Sequence, residues 1–491
     1  MARIAVVGAG MGAMAAAARL ATGGHQVVVF ERSGTYGGGV GRHERDGFAF
    51  DTGPGLLTLP AVYRDLFVKT GRESLEQTVE LVRADPAARH LFPDGTDVSL
   101  PNASRSGVIE ALDAAFGAGS GERWSEVMVR ARQVWEVTRR PLLEDTFGPA
   151  ARELARDPYP AAVRRGLFRR GAPTLAEVGA RELRDPRLAA LLACHALGYG
   201  FDPRSAPASA AVLPYVEQTF GVWYVRGGGL RALARAVYER CLARRVEFRF
   251  GAAVARVLER DGRVSGLELA DGTGWEADVV VAGAPVPSLP AAGPPEPGRF
   301  GVHLALRGGR PEDAVHRTVV HARTPEAGLD WLFGEPPGAP PQDAAALTVT
   351  VLRPDDPALR PDDAHEAVTL TATVPPHGAV DWDGPGVADA FAELLVSAAE
   401  AAVPGLRERE LWRAARSPAD TERETGAPGG GVPRPALAGA GGSFLRPANR
   451  TPLDGLYFVG GWTHPGGGLP HAGMSGAIAA DLVMGGPGGS R

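Results

Sequence analysis

The sequence predicts an α/β fold in which a parallel-stranded domain is interleaved with an α+β domain for a second ligand. Three observations predict it. A strand, a glycine-rich turn, a helix and a second strand follow one another within about thirty residues at the start of the sequence given. A second glycine-rich turn before a helix occurs near residue 460. Between them, helical stretches are followed by short apolar and alternating strands, with no internal repeat.

Arg3-Ile4-Ala5-Val6-Val7 is a β-branched run suited to a buried parallel strand. It feeds Gly8-Ala9-Gly10-Met11-Gly12-Ala13, then the helix formers Met14 to Leu20, which Gly23-Gly24 end. Gln26-Val27-Val28-Val29-Phe30 makes the second buried strand, ending at Glu31. Gly8 permits the tight turn, Gly10 lets backbone approach a pyrophosphate, and the helix start supplies N–H groups and positive dipole. Ala13 takes the place of the third glycine of the fingerprint, with Gly12 as an extra small residue. Glu31 is placed to accept hydrogen bonds from a ribose, and an acid there disfavours a 2′-phosphate. The ligand of this Rossmann-like unit is therefore FAD or NAD.

Two further segments choose FAD. Arg32-Ser33-Gly34-Thr35-Tyr36-Gly37-Gly38-Gly39 follows the acid, and Gly47 to Gly55 includes Asp51-Thr52-Gly53-Pro54-Gly55. Far away, the strand Leu456 to Val459 leads through Gly460-Gly461-Trp462-Thr463-His464-Pro465-Gly466-Gly467-Gly468-Leu469-Pro470-His471 to a helix over Ala477 to Met484. A dinucleotide met again so much later must be long and enclosed. An extended FAD has that shape, and a helix start can stabilise negative charge at the flavin N1–C2=O edge.

These segments resemble the phytoene desaturase family of FAD-dependent carotenoid oxidoreductases. The similarity continues through Leu57-Thr58-Leu59-Pro60, Asp85-Pro86 and Phe92-Pro93-Asp94-Gly95-Thr96. It resumes at Pro207-Ala208, Val216-Glu217, Phe220-Gly221-Val222-Trp223, Gly227-Gly228-Gly229 and Arg446-Pro447-Ala448-Asn449-Arg450-Thr451. The resemblance implies an FAD-binding domain of the glutathione-reductase/amine-oxidase type. It implies cofactor contacts at Gly8, Gly10, Met11, Gly12, Ala13, Glu31 and Arg32, and at Gly38, Gly39, Gly53, Pro54 and Gly55. Val254 is implied beside the adenine, and Gly461, Trp462, Gly468, Leu469, Pro470 and His471 near the flavin. Where family members usually carry Arg this chain has Gly39, and Arg42 is the candidate replacement. Trp462 stands where relatives often have a small or acidic residue.

The implied activity is desaturation of a carotenoid or related polyene or isoprenoid, acting on CH–CH bonds by hydride transfer to flavin N5. Ketolation, isomerisation and saturation are alternatives on the same scaffold. A flavin amine oxidase is a further alternative, as is a prenyl-protein binding module. The implied organisation gives the cofactor domain residues 1–100, 227–285 and 440–491. The substrate domain takes 101–226 and 286–439, helical over 105–215. Pro285 to Pro297 reads as a hinge, and Gly426 to Gly442 as a flexible connector or a loop near the flavin.

Composition sets the exclusions. The 491 residues carry a net charge of −5, and aromatic residues are 7%, so no nucleic-acid partner is expected. Lys69 is the single lysine and follows no glycine loop, which argues against P-loop, Schiff-base and lysine-dependent amine-oxidase chemistry. Cys194 and Cys241 are the only cysteines, and no linear His/Cys/Asp spacing marks a metal site. No apolar run of about eighteen residues occurs, so the expectation is a cytoplasmic protein facing an apolar small molecule. The arginine-flanked Val163, Leu167 and Phe168 make 160–170 a candidate for peripheral contact with the inner face of the membrane. Candidate proton-handling residues are His464, His471 and Glu217. His195 reads as a core histidine, since adjacent helical residues such as Cys194 face different directions.

Overall fold

β-Branched runs broken by glycine turns divide the chain between two large sheets, three smaller ones and a helical layer. The computed structural model describes residues 1–148, 153–160, 172–290, 293–334 and 340–485. A five-stranded sheet runs in the order Leu456–Phe458, Val279–Ala282, Arg3–Val7, Gln26–Glu31, Glu247–Phe250, with every pair parallel. Its central strands are nearly continuous Val and Ile because both faces are covered. On one side lie the helices Met11–Thr22, Leu230–Ala243 and Leu469–Met484, burying Met14, Leu20, Leu233, Val237 and Ile478. On the other, the antiparallel meander Val254–Arg260, Arg263–Leu269, Gly274–Glu276 presses Val264 and Leu267 onto Val28, Phe30 and Val280. The fold is the FAD-binding α/β architecture expected.

The last helix begins at Leu469, eight residues before the apolar run from Ala477. Pro470 in its first turn lacks only an N–H that has no intrahelical partner there. The first and last helices meet through small residues. A Cβ on Gly12 would lie 2.8 Å from the Ala472 carbonyl oxygen, and one on Gly476 would lie 2.5 Å from that of Gly12.

A seven-stranded mixed sheet runs Glu410–Arg416, Gly298–Arg307, His365–Val374, Val349–Leu352, Arg317–Val320, Ala88–Leu91, Asp97–Leu100. Neighbours are antiparallel except Arg317–Val320 and Ala88–Leu91, which run parallel. The helix Val387–Ala399 lays Phe391, Leu395 and Val396 on Phe300, Val368 and Leu370. Gly384 and Gly386 precede its first turn. The helices Arg105–Phe116, Ser120–Arg139, Pro186–Gly198 and Val212–Phe220 form a separate layer around Leu112, Trp124, Val127, Leu188 and Leu191. The segment read as a hinge ends pinned: Glu296 accepts from both Arg446 Nη atoms at 2.7 and 3.0 Å and from Arg434 Nη2 at 3.2 Å. The basic stretch 160–170 lies, beyond Pro160, outside the described residues. No helix among the described residues is long and apolar enough to cross a membrane.

Candidate active site

The groove starts at Gly8, whose φ of +85° turns the first strand sharply toward the Met11–Thr22 helix. That helix has no side-chain cap, and a Cβ on Gly10 or Gly39 would meet nothing within 4 Å. Gly38 leans on the same spot, its virtual Cβ 3.1 Å from Gly10 Cα. Uncapped N–H groups bordered by open glycines make an anion cradle. Met11 and Ala13 are buried behind it. Glu31 accepts from the Ala9 and Ser33 N–H groups at 2.7 and 2.8 Å, which fixes the carboxylate at the rim of the sheet with lone pairs left over.

Arg32 Nη2 donates to the Arg423 carbonyl at 2.7 Å, 391 residues away in the chain. Arg42 pairs with Glu44 at 2.6 Å, and its Nη1 lies 3.1 Å from the virtual Cβ of Gly228. Gly53 approaches the Gly39 carbonyl so closely that a Cβ would lie 2.0 Å from it. Pro54 is exposed and Gly55 rests on Leu352. Val254 opens the meander opposite Leu269.

At the other end, Gly468 (φ +101°) starts the last helix, again without a side-chain cap. Its virtual Cβ would lie 3.3 Å from His471 Nδ1 and 4.0 Å from Tyr199. Leu469 and Pro470 are buried, Trp462 is half-buried, and Gly461 lies against Pro433. The Gly426 to Gly442 stretch is thus packed beside this turn, with Pro435 bridged to Gly466. His464 Nε2 meets the Asp145 carbonyl at 3.0 Å. Among the described residues, His464 Nδ1 and His471 Nδ1 are buried without partners. Burial lowers both pKa values, that of His471 to about 4, so both rings are neutral near pH 7.

Beyond Tyr199 lies a buried polar cluster. Glu217 Oε2 accepts from Arg317 Nη1 at 3.2 Å, and Oε1 lies 3.7 Å from His195 Nε2. Burial alone would raise the Glu217 pKa, yet the Arg317 and His195 charges hold it well below the usual carboxylate range. It therefore stays ionised and is a poor proton acceptor. Burial opposes protonation of His195, but the Cys194 sulfur and Glu217 raise its pKa to about 10. Cys194 and His195 do face each other, at 3.7 Å, because both side chains bend back to the Leu191 carbonyl one turn earlier. An apolar cavity of about 680 Å³, its mouth included, opens next to Cys194 and is walled by Leu197, Leu329, Trp331, Leu332 and Leu347.

The model of the flavin-containing amine oxidoreductases matches residues 14–484. The chain belongs to that family. Within it, a hydroxyneurosporene desaturase of Rubrivivax gelatinosus is 30% identical over 520 residues, covering 98% of this chain and 93% of that protein. A zeta-carotene-forming phytoene desaturase of Myxococcus xanthus is 29% identical over 98% of this chain and 94% of its own. A 4,4′-diapolycopene oxygenase of a Methylomonas species is 27% identical over 98% of each. Solved structures of an oxidoreductase from Methanosarcina mazei (TM-score 0.63, 16% identity, 98% and 99% coverage) and of cyclohexylamine oxidase from Brevibacterium oxydans (0.59, 16%, 98% and 99%) share the fold.

This member of the carotenoid desaturase family is an FAD-dependent oxidoreductase. The groove fits FAD at both ends, through two uncapped helix starts, the open glycines and the orphaned imidazole nitrogens. Several side chains support the site from outside the candidate cofactor contacts. Asp51 caps the Leu230–Ala243 helix and Asp356 Oδ2 takes the N–H groups of Gly228 and Gly229. Arg231 pins the 35–40 loop through the Tyr36 and Val40 carbonyls. A polar residue just before a glycine turn is the only signal available for Asp51.

Proposed function

We propose that this enzyme desaturates a carotenoid or closely related polyene. The observation that carries the reading is the match of the chain to carotenoid desaturases over 98% of its length, and an apolar cavity of the kind a polyene needs accompanies it. Bound FAD would supply a hydride acceptor at its N5. In this reading Gly10, Gly38 and the Met11–Thr22 helix start hold the pyrophosphate, and Glu31 holds the ribose. Val254 lies beside the adenine, Arg42 contacts a phosphate or the flavin, Arg32, Gly53, Pro54 and Gly55 add further cofactor contacts, and Gly461, Trp462 and the Gly468–Leu469–Pro470 turn seat the flavin half.

Removing hydride from an allylic CH leaves positive charge spread along the polyene, so a neighbouring C–H becomes acidic. A weak base then suffices, and the neutral His471 Nδ1 is such a base. His464 orients the turn through Asp145. Leu197, Leu329 and Leu347 exclude water and align the chain of the substrate. Among the described residues the lining of that cavity holds no carboxylate, which favours an apolar substrate over an amine. The test is anaerobic addition of phytoene, lycopene or a hydroxylated derivative in liposomes to the yellow protein. Bleaching of the flavin band with loss of two hydrogens from the polyene is the expected result, and an unchanged spectrum with every polyene would refute it.

A further inference from the structure

Three metal-ligating side chains from separate segments meet inside the molecule, away from the glycine cradle. His90 lies on the Ala88–Leu91 strand, His321 follows the Arg317–Val320 strand, and Cys194 sits on the Pro186–Gly198 helix. The two strands run parallel with Val319 opposite His90, and the His321 N–H donates to the Leu91 carbonyl at 2.9 Å. That register sets the imidazoles side by side, His90 Nδ1 3.0 Å from His321 Nε2. Phe92 stacks on His321 at 4.2 Å and fixes its ring. The ligand atoms of the three residues all lie within 4.8 Å of one another.

We propose that His90, Cys194 and His321 bind a soft, four-coordinate divalent cation of the zinc class, with water in a fourth position. A tetrahedral zinc shell has an N···N edge of about 3.3 Å and N···S edges of about 3.6 Å. The imidazole pair is already near the first value, and a side-chain rotation of Cys194 by about 1 Å reaches the second. A bound ion would take a lone pair from each imidazole and replace the His90–His321 hydrogen bond. Glu217 offsets the Arg317 charge on the same side. Cys194 and His321 also line the apolar cavity, which leaves room for the fourth ligand. Two neutral imidazoles sharing one proton would explain the His90–His321 contact alone. The Cys194 sulfur, which also contacts the Leu191 carbonyl, lies within reach of both rings and completes a three-ligand set.

The test uses the FAD-bound protein stripped with a chelator, then titrated with Co²⁺ and afterwards Zn²⁺. One Co²⁺ per chain with a thiolate-to-cobalt charge-transfer band, displaced by Zn²⁺, is expected. Zn²⁺ should also slow alkylation of Cys194 at least about tenfold, a readout that Cys241 does not obscure because it is fully buried. C194S should lose the band, and H90Q/H321Q should lose at least about tenfold in cobalt affinity while the flavin spectrum is kept. If a variant fails to fold, protection of wild-type Cys194 decides. Binding below one ion per chain, binding unchanged in C194S, or alkylation indifferent to Zn²⁺ would each overturn the proposal.

Discussion

Asp51 caps a helix that begins 179 residues later: its Oδ2 accepts the Leu230 N–H at 2.8 Å and its Oδ1 the Arg231 N–H at 3.0 Å. Gly229 has to be glycine for this, since a Cβ there would lie 2.3 Å from the same carboxylate. The contact joins the Phe48–Asp51 strand to the Leu230–Ala243 helix, which packs on the five-stranded sheet. D51A should cost about 1 to 2 kcal/mol and weaken FAD retention, whereas D51N, which keeps one acceptor, should cost less.

The same carboxylate predicts a pH dependence. Burial raises its pKa to about 6, against the two backbone N–H groups that lower it. A carboxyl with a raised folded-state pKa contributes stability that is full below the ordinary carboxylate range and is lost as pH rises through about 6. The melting temperature of the wild type relative to D51N should therefore fall between pH 4 and pH 6.5 or so. A difference that rises over that window would contradict the assignment.

Two neighbouring glycines should separate binding from folding. Gly10 has extended backbone and open space at its Cβ position, so G10A should leave the apoprotein melting temperature unchanged while flavin content collapses. Gly12 is wedged against Ala472 and Gly460, so G12A should cost about 1 to 3 kcal/mol in the apoprotein as well. Calorimetry with and without FAD reads both. Equal behaviour of the two variants would deny the cradle its place.

The Glu217–Arg317 pair should behave as a buried ion pair. E217Q leaves the Arg317 guanidinium unmatched and should destabilise by about 3 to 5 kcal/mol at pH 7 in urea unfolding. Because the Glu217 pKa is depressed in the folded state, its contribution is full above the ordinary carboxylate range and declines as pH falls below about 4. A loss under about 1 kcal/mol at pH 7 would show that water reaches the pair.

Local chemistry made the cofactor half legible. Val6, Val28 and Val280 announce buried parallel strands, and Gly8, Gly10 and Glu31 stand at positions that only a nucleotide turn requires. The start of the last helix was harder, since Pro470 and Gly473 read as loop residues until packing against Tyr63 and Gly12 holds them helical. Long-range pairings left no trace. Nothing near His90 indicates that Ala88–Leu91 lies beside Arg317–Val320, so the His90–Cys194–His321 meeting follows only from strand register. The Cys194–His195 contact escaped a face-counting argument because both side chains turn toward one carbonyl.

The central claim is that this enzyme removes hydrogen from a polyene, with His471 taking the proton. The most direct measurement is product analysis in cells that make phytoene, lycopene or 1-hydroxy carotenoids, expressing either the wild type or H471A. A new chromophore, longer by one or more double bonds and lighter by two hydrogens for each, should accumulate with the wild type and drop at least about tenfold with H471A. Unchanged pigments in every strain, with FAD bound to the purified protein, would contradict the account.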